Sequence, residues 1–533
     1  MTSFDGNLYL TGFMGTGKST LAQALASALH WPCVDLDAQL ERHFSRPIAA
    51  VFSTLGEAAF RQQETALLRR LAGRQRLVVA TGGGAPVAPE NRAAMRASGR
   101  LILLHAAPAR LRERLSAEAM AQRPLWGDLP AVQALYQARQ AAYADHDLAL
   151  DAIGLEVPAK VNAVLRFLLP EGCISVVLDG RECPVEVTVD GPAALGGLAA
   201  GRRVFLLTDR HVAAAHLARY RLGLPEAVEI VVPGGENAKS LRRAEHVYRA
   251  LLEAHAERRD LLVALGGGVV TDLGAFVAAT FKRGMDFALV STSLVGCVDA
   301  AIGGKSAVNI AGSKNQVGLF TVPRRVVLDL AALSTLPRAQ LREGLVEAYK
   351  TGLALRPDLA AFIESHLPQL LVGDLPAVAA VARACAEAKG EVVTVDFREH
   401  GLRRVLNLGH TYGHAVETWH HYRVSHGQSV AVGLVVMAEL SRARGLIDAA
   451  LADRAVRTVR SLLRRQVEFP TAAQAWPIML NDKKASAGRL TFVLLTGLGS
   501  HTCVDDVTPT ELDAALDRAR SALVEPPLRG AHL

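Results

Sequence analysis

Short, nearly unbroken apolar runs alternate with stretches of helical periodicity as far as about Leu330, and helical periodicity dominates after Leu336-Pro337. The first run, Asn7 to Leu10, leads into a helix of alternating Leu and Ala. A second ends in Val34-Asp35-Leu36-Asp37, and a third spans Leu77 to Ala80. After Asp151 a helix from Lys160 to Leu169 gives way to Pro170-Glu171-Gly172. A new β-branched series starts at Ile174 and recurs at Val204 to Thr208, Val228 to Val232 and Leu261 to Leu265. Strands that are apolar without alternation are buried on both faces, and helices between them predict parallel sheets. The pattern therefore predicts an α/β chain with a boundary near Glu171 and three parts: α/β over 1–168, α/β over 173–330, and all-helical over 331–533.

Composition supports that architecture. A chain of 533 residues, half of them apolar and only 5% aromatic, can bury more than one core of helices packed on parallel strands. The net charge of +7 is spread over pairs such as Arg202 with Arg203, Arg258 with Arg259 and Arg464 with Arg465. Without a helix-turn-helix or RNP signal, and with few aromatics for base stacking, this charge suits small phosphates and carboxylates rather than nucleic acid. Cys33, Cys173, Cys183, Cys297, Cys385 and Cys503 form no CxxC pair, which points to reduced thiols. No basic flank precedes an apolar core at the N-terminus, and no apolar run approaches the ~18 residues of a membrane span. The expectation is a cytoplasmic protein with no membrane partner.

Candidate chemistry begins directly after the first strand. Gly12-Phe13-Met14-Gly15-Thr16-Gly17-Lys18-Ser19 is a complete GxxxxGK[ST] between a strand and a helix. There, backbone amides wrap phosphates, Lys18 reaches the outer ones and Ser19 takes magnesium. Asp35 and Asp37 alternate, which on a strand sends both carboxylates to one side, one toward the metal and one toward a substrate hydroxyl. Downstream come a helix carrying Arg61, the strand end Thr81-Gly82-Gly83-Gly84, a segment Ala121-Gln122-Arg123-Pro124-Leu125 with the look of a flap, and Arg139 on a later helix.

These residues resemble shikimate kinase over nearly all of the segment, including FRQQE around Arg61, TGGG, QRPL and YQARQAAY around Arg139. The resemblance implies a P-loop kinase domain that transfers phosphate from ATP to the 3-hydroxyl of shikimate. Carried over by position, Gly15, Thr16, Gly17, Lys18, Ser19 and Thr20 hold the nucleotide, and Ser19 and Asp35 serve Mg2+. Asp37 orients or deprotonates the hydroxyl. Arg61, Gly83 and Arg139 bind the shikimate carboxylate and ring, and Arg123 meets the transferring phosphate. A pair of planar guanidinium groups is a natural carboxylate clamp, and a lid arginine offsets charge developing in the transition state.

The densest chemistry of the second half lies between Gly266 and Asn315, where Gly266-Gly267-Gly268 ends a buried strand and Asp272, Arg283, Asp299, Lys305 and Lys314 follow among small residues. A glycine turn there suits a dinucleotide, although the GxGxxG order is missing. Further on, Asn407-Leu408-Gly409-His410-Thr411-Tyr412-Gly413-His414-Ala415-Val416-Glu417 sets two histidines four apart, with His426 a short loop away and Glu347 upstream. Imidazoles plus a carboxylate make a catalytic zinc-type site, and spacing alone points to His410 with His414 as the pair. His420 and His421 read as surface residues.

This half resembles 3-dehydroquinate synthase over essentially its whole length, through PGGENAKS, GGGVVTD, FKRG, VDAAIGGKSAVN, SKNQVG, EGLVEAYK, LNLGHTYGHAVE, SHGQSVAVG and NDKK. The resemblance implies a Rossmann-like α/β NAD domain and a helical domain for metal and substrate. The reaction it implies is NAD- and metal-dependent closure of 3-deoxy-arabino-heptulosonate 7-phosphate to 3-dehydroquinate with loss of phosphate. It replaces the spacing-based pair by Glu347, His410 and His426 as ligands of Zn2+ or Co2+, and makes His414 a substrate or proton-relay residue.

By the same resemblance NAD touches Asp209, Gly234, Gly235, Glu236, Asn237, Ala238 and Lys239. It also touches Gly268, Val269, Val270, Thr271, Asp272, Thr292, Ser293, Lys305, Lys314 and the turn Ala332, Leu333, Ser334, Thr335. The substrate meets Asp299, Lys305, Asn315, Lys350, Lys389, Arg403, Asn407, His414 and Lys483 or Lys484. Arg283 reaches the phosphate of a neighbouring subunit's site, which implies a homodimer. The chain departs from the family pattern at Ser291, where a proline is common, at Ala300 and Ala301 in place of serines, and at His211 in place of an asparagine. The combined expectation is a bifunctional enzyme of the shikimate pathway. Alternatives are a kinase joined to another sugar-phosphate cyclase or to a metal-dependent alcohol dehydrogenase relative, the latter disfavoured because a simple alcohol needs no lysines at Lys305, Lys350 and Lys389.

Overall fold

Residues 1, 3–114, 126, 128–310, 313–481 and 490–524 are described in a computed structural model. The chain divides into two units, Thr2–Leu169 with Asp374–Pro376, and Pro170–Gly373 with Ala377–Leu533.

In the first unit the apolar runs become five strands, β1 (Asn7–Gly12), β2 (Cys33–Asp35), β3 (Val78–Ala80), β4 (Gly99–His105) and β5 (Leu148–Asp151). They are parallel, in the order β2-β3-β1-β4-β5. β1 is buried along its length, as a central strand covered on both faces must be. Tyr9, Val34, Leu68, Val79, Met95 and Leu101 pack into one core cluster, each large apolar side chain contributing about 1.5–3 kcal/mol by leaving water. Because the strands are parallel, the loop after β1, Asp35 after β2 and the glycines after β3 emerge at one edge of the sheet, where α/β folds bind ligands.

The second unit contains β6 (Gly172–Ile174), a short hairpin of β7 (Val177–Leu178) and β8 (Arg181–Glu182), β9 (Val185–Thr188), β10 (Val204–Asp209), β11 (Val228–Val232), β12 (Leu261–Gly266), β13 (Asp286–Ser291) and β16 (Arg325–Asp329). Apart from the hairpin they form one sheet in the order β11-β10-β12-β13-β16-β9-β6, parallel except where β6 meets β9. The chain steps outward from β10 to β11 and then returns to lay β12 on the other side of β10. This reversal of strand order puts Asp209 and Gly266 on the two sides of a crevice at the carboxyl ends. A separate antiparallel hairpin, β14 (Lys305–Ile310) and β15 (Ser313–Phe320), stands beside it.

Among the described residues from Arg338 onward the unit is helical with one departure from the all-helical expectation. β17 (Phe492–Gly497) and β18 (Ser500–Val504) form an antiparallel hairpin. Its β-branched strands flank Gly497-Leu498-Gly499, with Gly499 at φ 77°, a hairpin signal at the scale of a few residues. The hairpin docks on the helix His426–Ala443, where Leu495 N donates to Ser441 Oγ at 3.0 Å. All six cysteines are free thiols. No described helix is long and apolar enough to cross a membrane.

Candidate active sites

In the first unit Gly15 (φ 85°) and Gly17 (φ 88°) take left-handed conformations, and the helix Lys18–Leu29 starts directly after them. Such a loop turns successive amides toward one point, and the helix N-terminus adds partial positive charge. Lys18 Nζ donates to the carbonyl oxygens of Gly12 and Phe13, both at 2.9 Å, so its ammonium lies over the loop. Ser19 Oγ donates to Asp35 Oδ2 at 2.6 Å.

The two acids are not alternate residues of one strand, as the sequence suggested. β2 ends at Asp35, whose other oxygen accepts from Ala38 N at 3.1 Å and caps the helix Leu36–Phe44. Asp37 falls in the first turn of that helix, because a capping aspartate ends the strand. The carboxylates are thereby parted: Asp35 faces Ser19, and Asp37 faces the end of β3. A Cβ on Gly82 would stand 2.6 Å from Asp37 Oδ1 and 3.1 Å from Glu64 Oε1. Burial pushes the Asp37 carboxyl up, with Lys18 and then Arg61 partly offsetting it and Asp35 reinforcing it, the direction wanted in a group that takes a proton from a hydroxyl.

A neighbouring glycine serves the Arg61 guanidinium. A Cβ on Gly84 would collide with that group and displace it from the strand end, whereas one on Gly83 would meet Arg139 only at 3.4 Å, an ordinary contact. Arg61 is held from behind by Glu64 Oε2 at 2.7 Å and Glu57 Oε1 at 3.0 Å. Arg61, Arg139 and Gly84 also line a cavity of about 750 Å3. Arg123 lies outside the described residues.

In the second unit Asp209 caps the helix Arg210–Gly223 through His211 N (2.8 Å) and Val212 N (3.1 Å). Across the crevice Gly267 precedes the helix Gly268–Thr280. Val270, Thr271, Ala332 and Leu333 are at most 5% exposed, and the Thr271 hydroxyl bonds back to the Gly267 and Gly268 carbonyls. The segment Gly234–Lys239 is tied to both neighbours: Lys239 Nζ pairs with Asp272 and donates to Asn315 Oδ1 at 2.5 Å, and Asn309 Nδ2 donates to Glu236 Oε1 at 2.8 Å. Thr292 N donates to Gly266 O at 3.0 Å, and Ser293 Oγ would be 3.0 Å from a Cβ on Gly267. Ser334 and Thr335 hydroxyls bond back to their own 3-10 turn.

Deeper in, three elements meet. The helix Arg338–Ala354 supplies Glu347, the helix His410–Trp419 supplies His410 and His414, and the helix His426–Ala443 supplies His426. The ligand atoms of Glu347, His410 and His426 all lie within 4.8 Å of one another. The group is not the His410–His414 pair to which spacing pointed. His414 stands one helical turn on, its ring centroid 5.4 Å from that of His410 and 5.7 Å from that of His426.

Glycines permit the convergence. A Cβ on Gly433 would collide with the carbonyl oxygen of Gly409, and one on Gly427 would come within 2.7 Å of Glu343 Cα. The two histidine helices therefore cross backbone to backbone, and the second presses its first turn against the glutamate helix.

The remaining atoms of the trio are already engaged. His410 Nδ1 faces Leu408 O at 3.2 Å, His426 Nδ1 faces Glu417 Oε2 at 3.4 Å, and Glu347 Oε2 accepts from Lys350 Nζ at 2.7 Å. That leaves both Nε2 atoms and Glu347 Oε1 facing inward. Oε1 is buried and is not satisfied by a hydrogen bond; the His426 and His410 Nε2 atoms lie 3.1 and 3.7 Å from it. Three converging donors, one an orphaned buried carboxylate oxygen, fit a divalent cation with open positions. Burial pushes Glu417 up, but His426 and Lys314 outweigh it and hold the carboxyl at about 2.

Around the trio, Asp299 sits in a π-helical turn, Gly296–Ala300, and Lys389 Nζ donates to its carbonyl and carboxylate. Burial pushes Lys389 down to about 8 despite that partner. Arg403 donates to Gly303 O at 3.0 Å. Asn407 Nδ2 donates to Glu399 Oε1 at 2.6 Å, and Lys305 pairs with the same Glu399. Arg283 is exposed, in a turn where it and Lys282 both have positive φ (64° and 48°). Lys483 and Lys484 lie outside the described residues. Glu64, Glu399 and Glu417 carry functional contacts that sequence reasoning did not single out; the glutamate of FRQQE and that of GHAVE stood inside the quoted motifs and were the available signal.

The first unit matches the family model described as shikimate kinase over residues 14–168. The second matches those described as 3-dehydroquinate synthase N-terminal over 229–343 and 3-dehydroquinate synthase C-terminal over 344–485. A 3-dehydroquinate synthase of Dichelobacter nodosus is 40% identical over 328 residues, 60% of this chain and 88% of the relative. One of Azotobacter vinelandii is 41% identical over 336 residues, 61% and 90%. Among solved structures, a 2-epi-5-epi-valiolone synthase from Streptomyces hygroscopicus with NAD+ and Zn2+ bound superposes with a TM-score of 0.61 at 27% identity, over 65% of this chain and 98% of that one. The chain thus belongs to the 3-dehydroquinate synthase family and joins to that enzyme a shikimate kinase domain, as a bifunctional enzyme of the shikimate pathway.

Proposed function

We propose that the first unit uses the Gly12–Ser19 loop to bind ATP, with Ser19 and Asp35 serving Mg2+, and Arg61, Gly83 and Arg139 holding the shikimate carboxylate and ring. Asp37, its carboxyl raised by burial, orients the 3-hydroxyl and draws off its proton as the γ-phosphoryl arrives, while Lys18 offsets charge on the phosphate oxygens. Arg123 completes the charge compensation.

In the second unit NAD lies across the crevice between Asp209 and Gly268, reaching Lys239, Asp272 and Lys314, and Glu347, His410 and His426 hold Zn2+ or Co2+. When bound, NAD supplies a reversible hydride acceptor and the metal a Lewis acid for vicinal oxygens. The chain's own residues do the rest. Lys305, Lys350, Lys389 and Arg403 bind the phosphate and carboxylate of the heptulosonate, with Asn407, Asn315 and Asp299 orienting its hydroxyls. His414, beside the trio but outside it, moves the proton as phosphate departs. Arg283, on its exposed turn, completes a partner subunit's site, so the enzyme acts as a homodimer in the cytoplasm.

The single observation that carries this reading is the convergence of Glu347, His410 and His426 within 4.8 Å, with Lys350 Nζ 2.7 Å from Glu347 Oε2. The test is to supply each substrate to the full chain separately. ATP with shikimate should yield ADP, and the heptulosonate phosphate with catalytic NAD should yield phosphate. Lys18→Ala should abolish only the first reaction, and loss of both with the fold intact would refute independent sites.

A further inference from the structure

Glu417 is 4% exposed and has no place among the ligand and substrate roles above. Its two oxygens face different elements. Oε2 meets His426 Nδ1 at 3.4 Å, and Oε1 accepts from Lys314 Nζ of the β14–β15 hairpin. The ammonium of Lys314 also lies 4.9 Å from the centre of the Tyr422 ring.

The histidines differ in how they are held. His410 is 8% exposed in its side chain and braced by the Leu408 carbonyl; His426 opens its helix and is 35% exposed. Packing therefore fixes the first ring, and the second depends on whatever grips its Nδ1. A hydrogen bond there selects the tautomer that turns Nε2 inward and sets the plane of the ring.

We propose that Glu417 is a positioning residue that fixes His426 for metal binding and, through Lys314, ties the metal site to the β14–β15 hairpin, so that the two become ordered together. The hairpin carries Lys305 and Asn315 as well as Lys314, so ordering it by metal prepares the cofactor and substrate side. By linkage the coupling runs in both directions. The inference rests on Glu347, His410 and His426 being the metal ligands.

The test uses the full-length protein stripped of metal and titrated with Zn2+ against a chelator, without substrates. Glu417→Gln should lower the melting temperature of the metal-free protein, because it removes a buried carboxylate paired with Lys314 and His426, and in the protein that remains folded it should weaken zinc binding about 10- to 100-fold. In wild type, zinc should slow hydrogen exchange of the amides in Ser313–Phe320. Glu417→Gln and, as a second variant on a half-buried surface position, Lys314→Met should both lose that protection. Wild-type zinc affinity in Glu417→Gln, or zinc protection of the hairpin in Lys314→Met equal to wild type, would overturn the proposal. His426→Ala separates it from the underlying reading: if that variant binds zinc normally the ligand assignment itself fails, and if it loses zinc while Glu417→Gln does not, only the positioning role fails.

Discussion

Lys350 Nζ lies 2.7 Å from Glu347 Oε2, one turn along the same helix, and both side chains are at most 2% exposed. An ion pair so buried loses two hydration shells and is held together by mutual attraction, so removing one member strands the other. Lys350→Met should destabilise the metal-free protein by about 3–5 kcal/mol. Zinc should restore part of that loss by neutralising Glu347. Denaturant unfolding of the variant with and without zinc measures both effects, and a variant as stable as wild type without metal would contradict the pairing.

The trio and its neighbour make separable predictions. His426→Ala should lose bound zinc by elemental analysis, whereas His414→Ala should keep it and lose ring closure by at least 100-fold. Metal lost in His414→Ala but kept in His426→Ala would return the site to the pair suggested by spacing.

Gly433 allows the helix His426–Ala443 to lie against the Gly409 carbonyl. Gly433→Val must push the two helices apart, an overpacking that costs about 1–3 kcal/mol, and it should carry His426 away from His410. The variant should melt lower and bind zinc more weakly, although residue 433 touches no ligand atom. Unchanged zinc affinity would show that the crossing does not set the site.

Lys389 introduces a pH dependence. Burial brings it from an ordinary 10.5 to about 8, so the folded protein binds fewer protons than the unfolded chain between those values, and stability rises with pH across that window. Below about 8 the side chain is cationic and grips an anionic substrate; above it the grip is lost. KM for the heptulosonate phosphate should rise as pH increases through about 8. Lys389→Met should show a high KM with that limb flattened.

Much of this architecture is legible in the sequence because it is local. Unbroken apolar runs such as Leu261–Leu265 mark buried parallel strands, and Gly12–Ser19 carries its loop geometry in its own residue types. What escaped was set by contacts distant in sequence or by competition over one or two residues. Helical spacing alone pointed to His410 with His414, and only the resemblance named His426, which the helix crossing at Gly409 and Gly433 brings beside His410. Asp37 leaves the strand because the Asp35 carboxylate ends it by capping the next helix. The β17–β18 hairpin is short enough to be hidden by the helices around it. Glu417 stood inside the GHAVE motif, but its part becomes visible only with Lys314 and His426 on either side.

The most direct measurement follows phosphate and NADH together while the full-length, zinc-loaded protein consumes 3-deoxy-arabino-heptulosonate 7-phosphate with NAD present in far smaller amount than substrate. Phosphate released in step with substrate, with no build-up of NADH, is the expected result. NADH accumulating with turnover, or consumption that stops once the NAD is spent, would contradict an enzyme that lends a hydride out and takes it back.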